Sequence, residues 1–555
     1  MNIEELKKII KGDISENQVD LEKYSRDASI FEVKPEAVIY PKDTEDIKNL
    51  ARWASENKIE QPEISLTARS AGSDMSGGPL NDSIILDFTK YFNHILEVGD
   101  DYAVTEPGVY YRDFEKATLE KGLILPSYPA SREICAMGGI VANNSGGEKS
   151  LAYGKTEKYV EELNVVLSDG NEYVFHALTP EKLETKKSQQ DFEGQIYREM
   201  HALIESNYDL IQKAKPDVSK NSAGYYLWNV YDKTTGIFDL NKLFVGSQGT
   251  LGLVTKIKFK LIKPKKYSKL LVIFLNDLAP LGDLVNEVMQ FKPESFETYD
   301  DQTLKLAIRF LPDLIKKMKG SALSLFFEFT PEAIMILTGG LPKLVLLAEF
   351  TSDDESEVDE KLAKLQQIIE SKFKAKTHIT KDAEEAEKYW TIRRESFALL
   401  RKHVGDKHTA PFIDDVIVHI DQLPTFLPKL NQLVGEYPGL TYTIAGHAGD
   451  ANFHVIPLMD FHNEANRQAI PELSEKVYDL VISLHGSITA EHNDGLIRTP
   501  YLEKMYGSQI TELFRQTKNI FDPQNIFNPR KKVPSTSSGQ AGGTLQYSLA
   551  HISKE

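Results

Sequence analysis

Three glycine-rich segments with few charged residues constrain the fold of this chain more than any other feature. They are residues 69–78 (RSAGSDMSGG), 137–147 (MGGIVANNSGG) and 245–252 (VGSQGTLG), and residues that favour strands border each of them. Small residues leave backbone N–H groups free to converge on an anion. A surface hairpin explains the first segment equally well when it is taken alone. Three such segments in one region predict an envelope of loops around a large ligand.

The common nucleotide-binding motifs do not account for these segments. No G-x-G-x-x-G opens a helix with an acidic residue about 20 positions further on, as a Rossmann dinucleotide site requires. The sequence also lacks a Walker phosphate-binding loop. Both kinds of nucleotide site are therefore excluded.

The order of short and long elements predicts the domain organisation. Short strands and helices alternate at first, which predicts an α+β domain over residues 1–262. Longer helices with charged faces, separated by apolar strands, predict a second domain over residues 263–420. Polar glycine-rich motifs return over residues 421–533, which predicts a C-terminal metal and catalytic segment that returns to the first domain. The Ser/Gly-rich composition of residues 534–555 predicts a disordered tail.

Charge and cysteine content exclude several function classes. The chain has 65 Lys and Arg residues against 82 Asp and Glu residues, which gives a net charge of -17. Such a charge repels phosphate backbones, so nucleic acid is not expected as a partner. Cys135 is the only cysteine, which excludes intrachain disulfides and iron–sulfur ligation. Electron transfer would therefore need an organic cofactor or a partner.

Two features bear on the location of the protein. The N-terminal residues lack the apolar run of a signal peptide or a spanning helix, which predicts a cytoplasmic protein. Residues 305–347 join a basic stretch to an apolar one. In an acidic protein this combination would mark a peripheral contact with the inner membrane face, or a quinone-access face. A buried helix with a solvated basic edge is the alternative.

A group of histidines and one glutamate near the C-terminus indicates a reactive centre. His447 and His454 are seven residues apart, which on a helix is about 10 Å, too far for ligands of one ion. On an unbroken strand they would face opposite sides, so only a turn between them lets both converge. Glu491 and His492 are adjacent, so one can bind metal while the other faces reactants. Any one of these histidines alone is more simply a core or surface residue.

Motifs along most of the chain carry a family resemblance. They read YSRDAS, PEAVIYPKDTEDI, ARSAGSDMSGG, VTEPGV, MGGIVANNSGG followed by YGKT, VGSQGTLG and NIFDPQNIFNPRKKV. In this order they resemble the vanillyl-alcohol oxidase and p-cresol methylhydroxylase (PCMH) superfamily. The last motif is similar to the end of its D-lactate, glycolate and D-2-hydroxyglutarate dehydrogenase branch. The resemblance extends over about residues 20–532.

The resemblance implies a fold and a flavin site. The fold class would be α+β, with a PCMH-type FAD-binding domain of two α+β subdomains and a cap domain whose antiparallel sheet is flanked by helices. Ser73 stands where some members attach FAD through a histidine, which predicts non-covalent FAD. Gln248 replaces the usual glutamate of GSEGTLG. The implied FAD-binding residues are Arg69, Ser70, Ala71, Gly72, Ser73, Asp74, Ser76, Gly77, Pro126, Gly138, Gly139, Asn144, Ser145, Gly147, Gly252, Val254 and Asn528.

The resemblance also implies roles in the C-terminal group. His447, His454 and Glu491 would ligate a divalent metal and His492 would be the catalytic base. Two His and one Glu suit zinc, with manganese and iron as alternatives. Arg393 would be the catalytic-site arginine for the substrate carboxylate, with Arg394 beside it on another helical face.

Four residues near the histidines and Glu491 either depart from the family pattern or have no role assigned by it. Ala451 and Asn493 replace glycines of the family pattern, which predicts altered loop geometry rather than a lost site. Asp414 or Asp415 would orient a ligand, although acidic turn residues are the simpler explanation.

The implied reaction is the FAD-dependent oxidation of a small, D-lactate-like D-2-hydroxy acid to the 2-oxo acid. The metal would polarise the hydroxyl, hydride would pass to flavin N5, and electrons would leave to a quinone or a soluble carrier. An FAD oxidase that uses oxygen, or a non-catalytic flavin- or metal-binding protein, are the alternatives. Which 2-hydroxy acid is oxidised is left open by the sequence.

Overall fold

The computed structural model describes residues 3–309, 340–403, 407–437, 440–534 and 543–554. The basic and apolar segment 305–347 lies for the most part outside these residues, so its predicted membrane or quinone contact stays a prediction. Within the described residues no helix is both long enough and apolar enough to cross a bilayer.

The first sheet carries the first glycine-rich segment at its edge. Its order is β1-β2-β4-β3, with β1 Asp13–Ser15, β2 Ala37–Tyr40, β3 Leu66–Arg69 and β4 Ile84–Asp87. The helices beside it are α1 Ile3–Ile9, α2 Gln18–Tyr24 and α3 Thr44–Asn57. Strands β3 and β4 pair in parallel. The glycine-rich segment between them is therefore a crossover, and the hairpin alternative is wrong, because a hairpin joins antiparallel strands.

The second sheet is antiparallel and carries the other two glycine-rich segments. Its order is β5-β6-β11-β7-β8, with β5 Ile95–Val98, β6 Tyr102–Thr105, β7 Val160–Val166, β8 Glu172–His176 and β11 Leu253–Lys260. A small hairpin pairs β9 Tyr231–Asp232 with β10 Ile237–Phe238. The helices are α4 Tyr111–Leu119, α5 Met137–Asn143, α6 Ser150–Tyr153, α7 Pro180–Ser188, α8 Phe192–Ser206, α9 Tyr208–Ala214 and α10 Asn241–Phe244. Burial alternates along β11, as expected for a sheet with one covered face.

The third sheet is larger, antiparallel and flanked by helices. Its order is β15-β12-β14-β13-β18-β19-β16, with β17 also paired to β19. The strands are β12 Tyr267–Leu275, β13 Ser295–Asp300, β14 Leu344–Ser352, β15 Lys376–Ile379, β16 His408–Thr409, β17 Val416–Ile417, β18 Thr441–His447 and β19 Asn452–Met459. The helices are α11 Leu281–Gln290, α12 Asp301–Arg309, α13 Glu355–Ile368, α14 Ala383–His403, α15 Leu423–Gly435 and α16 Glu464–Ser483. The predicted α+β class with an antiparallel cap sheet is confirmed.

This sheet contains strands from both sides of the domain boundary predicted at residue 420. Strands β18 and β19 lie after that boundary, yet β18 pairs with β13 from before it. The cap sheet therefore continues to Met459 and its helix α16 to Ser483, because hydrogen bonding and packing between distant segments join what composition separated.

The C-terminal residues return to the first two sheets. Helices α17 Gly495–Arg498 and α18 Leu502–Phe521 precede Phe527, which bridges to Leu66 of β3. The disordered tail predicted over residues 534–555 is wrong for residues 543–554, which include helix α19 Thr544–Ala550. Ser548 donates a hydrogen bond to the Leu496 carbonyl at 2.8 Å, so the helix is docked on the domain.

Candidate functional site

A cavity of about 780 Å³ opens between the three glycine-rich segments and the cap sheet. This volume lies toward the upper end of the range of about 300–1,000 Å³ for small-molecule sites. The predicted FAD-binding residues that line it are Ser70, Ala71, Gly72, Ser73, Asp74, Gly138, Gly139, Ser145, Gly147, Gly252 and Val254.

The other predicted FAD-binding residues do not line the cavity; they are Arg69, Ser76, Gly77, Pro126, Asn144 and Asn528. Several of these residues form hydrogen bonds to the backbone around the cavity. Arg69 donates to the carbonyls of Tyr24 and Arg26. Asn528 donates to the carbonyls of Gly78 and Gln248, so it joins the first glycine-rich segment to the third. These contacts are made between protein groups, so these side chains help to shape the wall.

Close backbone approach explains glycine at two cavity positions. A Cβ on Gly147 would lie 2.3 Å from the Tyr128 carbonyl oxygen. A Cβ on Gly138 would lie 2.6 Å from the Pro107 side chain. Since both positions also line the cavity, larger residues there would displace its walls.

Two polar side chains, Asp74 and Gln248, keep the first glycine-rich segment in shape. Asp74 Oδ2 accepts hydrogen bonds from the backbone N–H groups of Ser76 and Gly78, at 2.9 and 2.8 Å. Gln248 donates to Ser76 Oγ at 3.2 Å and accepts from the Gly495 N–H at 2.9 Å. An amide can donate and accept at once, whereas an ionised glutamate only accepts. Gln248 therefore suits the partners it has in this chain.

The histidine cluster, defined as His447, His454, Glu491 and His492, forms the other end of the cavity. Strand β18 ends at His447, a turn over residues 448–450 follows, and β19 then carries His454. The turn brings the two rings to a centroid distance of 5.3 Å. The His454 and His492 rings stack at 4.9 Å. Residues far apart in sequence thus share one end of the cavity.

Both expected loop substitutions occupy left-handed backbone. Ala451 has φ 53° and Asn493 has φ 67°. These values lie in the region where glycine is least strained, which accounts for glycine in the family pattern. Asn493 Nδ2 donates to the Gly246 carbonyl at 3.0 Å, so this asparagine also ties the cluster to the third glycine-rich segment.

Carboxylates surround the imidazoles. His447 Nδ1 lies 2.6 Å from Glu297 Oε1, and its Nε2 lies 3.2 Å from Glu491 Oε2. Burial lowers the pKa of His447, but the Glu297 and Glu491 carboxylates outweigh burial and raise this pKa to about 9. Asp414 reaches the other two histidines. Its Oδ1 lies 3.1 Å from His454 Nδ1, and its Oδ2 forms a 2.8 Å ion pair with His492 Nδ1 that lacks hydrogen-bond geometry.

Comparison with protein families accounts for most of the chain. Residues 35–175 match the family described as FAD binding domain, and residues 264–532 match the family described as FAD linked oxidases, C-terminal domain. The chain carries both domains of the FAD-linked oxidases.

Individual relatives of this chain agree with that result. D-2-hydroxyglutarate dehydrogenase of Pseudomonas putida is 27% identical over 528 residues, covering 94% of this chain and 50% of the relative. The chain thus spans about half the length of that protein. D-lactate dehydrogenase of Archaeoglobus fulgidus is 26% identical over 498 residues, covering 89% of this chain and 91% of the relative. The solved structure of p-cresol methylhydroxylase with substrate bound has a TM-score of 0.65 at 16% identity, covering 94% of this chain and 93% of that one. The PCMH-type fold is confirmed.

The donor set at the histidine cluster fits a divalent metal. Among the described residues, His454, Glu491, His492 and Asp415 offer ligand atoms within 4.8 Å of one another. Asp415 is already used, since its Oδ2 accepts from Thr489 Oγ1 and from the N–H groups of residues 490–492. The imidazoles of His454 and His492 and the Glu491 carboxylate remain, a set that suits zinc, manganese or iron. The predicted ligand His447 is not in this group, although its Nε2 lies 3.2 Å from Glu491 Oε2.

Asp415 and Lys220 hold the cluster in place; the sequence predicted for Asp415 either a ligand-orienting or a turn role, and predicted no role for Lys220. Asp415 has φ 63° and gathers four donors from the segment that presents Glu491 and His492. Lys220 Nζ lies 2.7 Å from Glu491 Oε1 and 2.8 Å from Asp450 Oδ2, and it is buried. Lys220 is about 270 residues away from Glu491 in the sequence, and no local motif indicates that the two are in contact. Because Lys220 contacts Oε1 of Glu491, the other carboxylate oxygen, Oε2, faces His447.

The two neighbouring arginines face different parts of the cavity. Arg393 lies 3.2 Å from Glu297 Oε2, beside the histidine cluster. Arg394 donates to both oxygens of Glu148, at 2.7 and 3.2 Å, and so bridges the cap helix α14 to the end of the second glycine-rich segment. Consecutive residues on a helix point about 100° apart, which separates the two roles.

Proposed function

We propose that this chain oxidises a small D-2-hydroxy acid of the D-lactate type to the 2-oxo acid. The observation that carries the proposal is the placement of imidazoles, a carboxylate and Arg393 at one end of a cavity lined by the glycine-rich segments. Oxidation of such an acid needs a proton acceptor, a hydride acceptor and a cation for the carboxylate. The names of the two relatives, a D-2-hydroxyglutarate and a D-lactate dehydrogenase, support the substrate class.

FAD is the proposed hydride acceptor, held non-covalently. Bound FAD supplies the chemistry that removes the C2 hydrogen as hydride. The glycine-rich segments would hold it through their backbone. Ser73 lines the cavity where some relatives carry a histidine link, and its hydroxyl cannot form that bond. The protein should therefore release its FAD on denaturation.

His447, His454 and Glu491 are the proposed ligands of a divalent metal, with zinc the first choice. A bound divalent ion lowers the pKa of a coordinated hydroxyl. Lys220 and Glu297 support this assignment, because each holds a ligand side chain by its second polar atom. Such outer contacts orient ligands in metal sites.

Arg393 and His492 are the proposed substrate-handling residues. The Arg393 guanidinium would pair with the substrate carboxylate, since a planar fork matches two carboxylate oxygens. His492 would take the hydroxyl proton. Burial lowers the pKa of His492, but Asp414 and Asp415 outweigh burial and raise it to about 9. The imidazole is therefore protonated at neutral pH in the metal-free protein, and it would accept a proton above that pKa or after a bound divalent cation has lowered it. The same carboxylates would stabilise the imidazolium that forms when the proton arrives.

Anaerobic bleaching of the flavin tests the whole proposal. The purified yellow protein is mixed with D- and L-lactate, glycolate and D- and L-2-hydroxyglutarate, with and without chelator. We expect a D-acid to bleach the flavin, and chelator to slow the bleaching. Failure of every acid to bleach it would sink the proposal, whereas bleaching unchanged by chelator would remove only the metal.

Electrons are proposed to leave to a quinone or a soluble carrier. The peroxide formed per substrate in air measures the competing oxidase reaction. We expect little peroxide and rapid reoxidation by a soluble quinone. Formation of one peroxide molecule for each substrate molecule oxidised would contradict the proposed dehydrogenase and indicate an oxidase.

A further inference from the structure

Glu297 is buried on strand β13, beside the histidine cluster. Strands β13 and β18 pair in antiparallel register, with Glu297 directly opposite His447. Directly opposed residues put their side chains on the same face of a sheet, about 5 Å apart. The register therefore places this carboxylate beside the histidine cluster.

The two oxygens of Glu297 contact two different groups. Oε1 lies 2.6 Å from His447 Nδ1, and Oε2 lies 3.2 Å from the Arg393 guanidinium. The residue is 2% exposed. A buried carboxylate is costly without partners, and here each oxygen has a positively charged or N–H-bearing one. Glu297 thus lies between the proposed metal ligand and the proposed substrate cation.

The contact with His447 decides which imidazole nitrogen can bind metal. A carboxylate accepts from an N–H, so Glu297 favours the proton on Nδ1. Nε2 faces the Glu491 carboxylate at 3.2 Å and carries a proton toward it in the metal-free protein, so a metal ion would have to displace that proton to reach the Nε2 lone pair. Metal-bound histidines commonly have their second nitrogen held in this way.

We propose that Glu297 is a positioning residue that orients His447 for metal and Arg393 for the substrate carboxylate at the same time. The inference rests on the proposed function, and it adds that one side chain sets both ends of the substrate site. A structural ion pair would instead stabilise the fold and leave metal and substrate binding unchanged.

Glu297→Gln tests this role in the full-length, FAD-loaded protein. Glutamine keeps the shape but has one acceptor oxygen and one amide donor, so it cannot accept from both His447 and Arg393. Glu193→Gln is the matched control, since Glu193 is a buried glutamate paired with Lys186, outside the cavity. Flavin absorbance and the melting temperature check that each variant is folded.

Zn²⁺ binding is the first measurement, made on chelator-treated protein. We expect the Zn²⁺ dissociation constant to rise about 10- to 100-fold in Glu297→Gln, the usual cost of losing an outer contact, and to stay unchanged in Glu193→Gln. Equal Zn²⁺ affinity in Glu297→Gln and wild type would overturn the role of Glu297 while leaving the proposed function intact. Equal losses in both variants would also overturn it. Wild type that binds no Zn²⁺ would overturn this role and the proposed metal together.

Steady-state kinetics with D-lactate at saturating Zn²⁺ is the second measurement. Because Arg393 loses its fixed orientation, we expect KM to rise more than kcat falls in Glu297→Gln. A fall in kcat with KM unchanged would overturn the Arg393 half of the role. The Zn²⁺ measurement does not require turnover, so it stands even if D-lactate is not a substrate.

Discussion

The two ends of the cavity are built in opposite ways. The glycine-rich end is made of backbone and small residues, and its polar side chains, such as Asp74 and Asn528, bond to the protein's own backbone. The histidine end is made of buried charged side chains in mutual contact, contributed by segments from Lys220 to His492. A wall of backbone is sensitive to added volume, whereas a network of charges is sensitive to the loss of a single proton acceptor or cation.

His492→Gln breaks the histidine end with the largest expected effect. Loss of the proposed proton acceptor should slow flavin reduction by roughly 100- to 10,000-fold, the usual contribution of general-base catalysis. FAD content should not change, since the glycine-rich end is intact. Anaerobic stopped-flow absorbance measures the rate, with His462→Gln, an exposed histidine, as the control. Reduction at the wild-type rate would show that another group takes the proton.

Metal removal separates the two ends without a mutation. Chelator should slow flavin reduction by roughly 100-fold, because a metal contributes several kcal/mol to the stabilisation of an alkoxide-like charge. The amount of FAD bound should stay the same. Metal analysis and flavin absorbance on the same dialysed sample check both statements, and return of the rate with Zn²⁺ or Mn²⁺ identifies the ion. FAD lost in parallel with the metal would contradict the separation.

Arg393→Met and Arg394→Met compare the two neighbouring arginines. Loss of a charge-assisted contact of about 1.5–3 kcal/mol should raise KM for the D-acid roughly 10- to 100-fold in Arg393→Met. Arg394→Met should change KM less, because its guanidinium is held by Glu148. Steady-state kinetics on the two variants gives the answer. The reverse order would move the substrate carboxylate to Arg394.

Gly147→Ala breaks the glycine-rich end with the smallest expected effect. The added Cβ meets the Tyr128 carbonyl oxygen, and overpacking of about 1–3 kcal/mol should weaken FAD binding by roughly 5- to 100-fold. Gly435→Ala is the control, since its Cβ would meet nothing within 4 Å. Flavin fluorescence on titration with FAD measures the affinity. Unchanged affinity would mean that the wall yields at this point.

Local motifs made the glycine-rich end predictable, although not its detail. The sequence predicted three cavity-lining segments, and the structure places all three at the cavity. The sequence predicted the same FAD-binding role for Ser70 and Arg69. In the structure Ser70 lines the cavity, whereas the Arg69 side chain donates to the Tyr24 and Arg26 carbonyls. Neighbouring residues at the end of a strand point to opposite sides, and the side that faces a ligand depends on what packs against the other.

The histidine end was predictable in its residue types but not in its contacts. The need for a turn between His447 and His454 followed from helix and strand geometry alone. The partners of these residues did not, because Glu297 reaches His447 only through the register of β13 with β18. A shift of one residue would turn Glu297 to the other face of the sheet.

By itself, then, the sequence determined the α+β class, the glycine-rich cavity walls and the residue types of the histidine cluster, because these depend on local conformation and side-chain chemistry. Only the tertiary structure decided which carboxylate holds which imidazole, where the cap ends and that residues 544–550 form a docked helix. Those outcomes depend on strand register and burial between segments far apart in the chain, which no local pattern encodes.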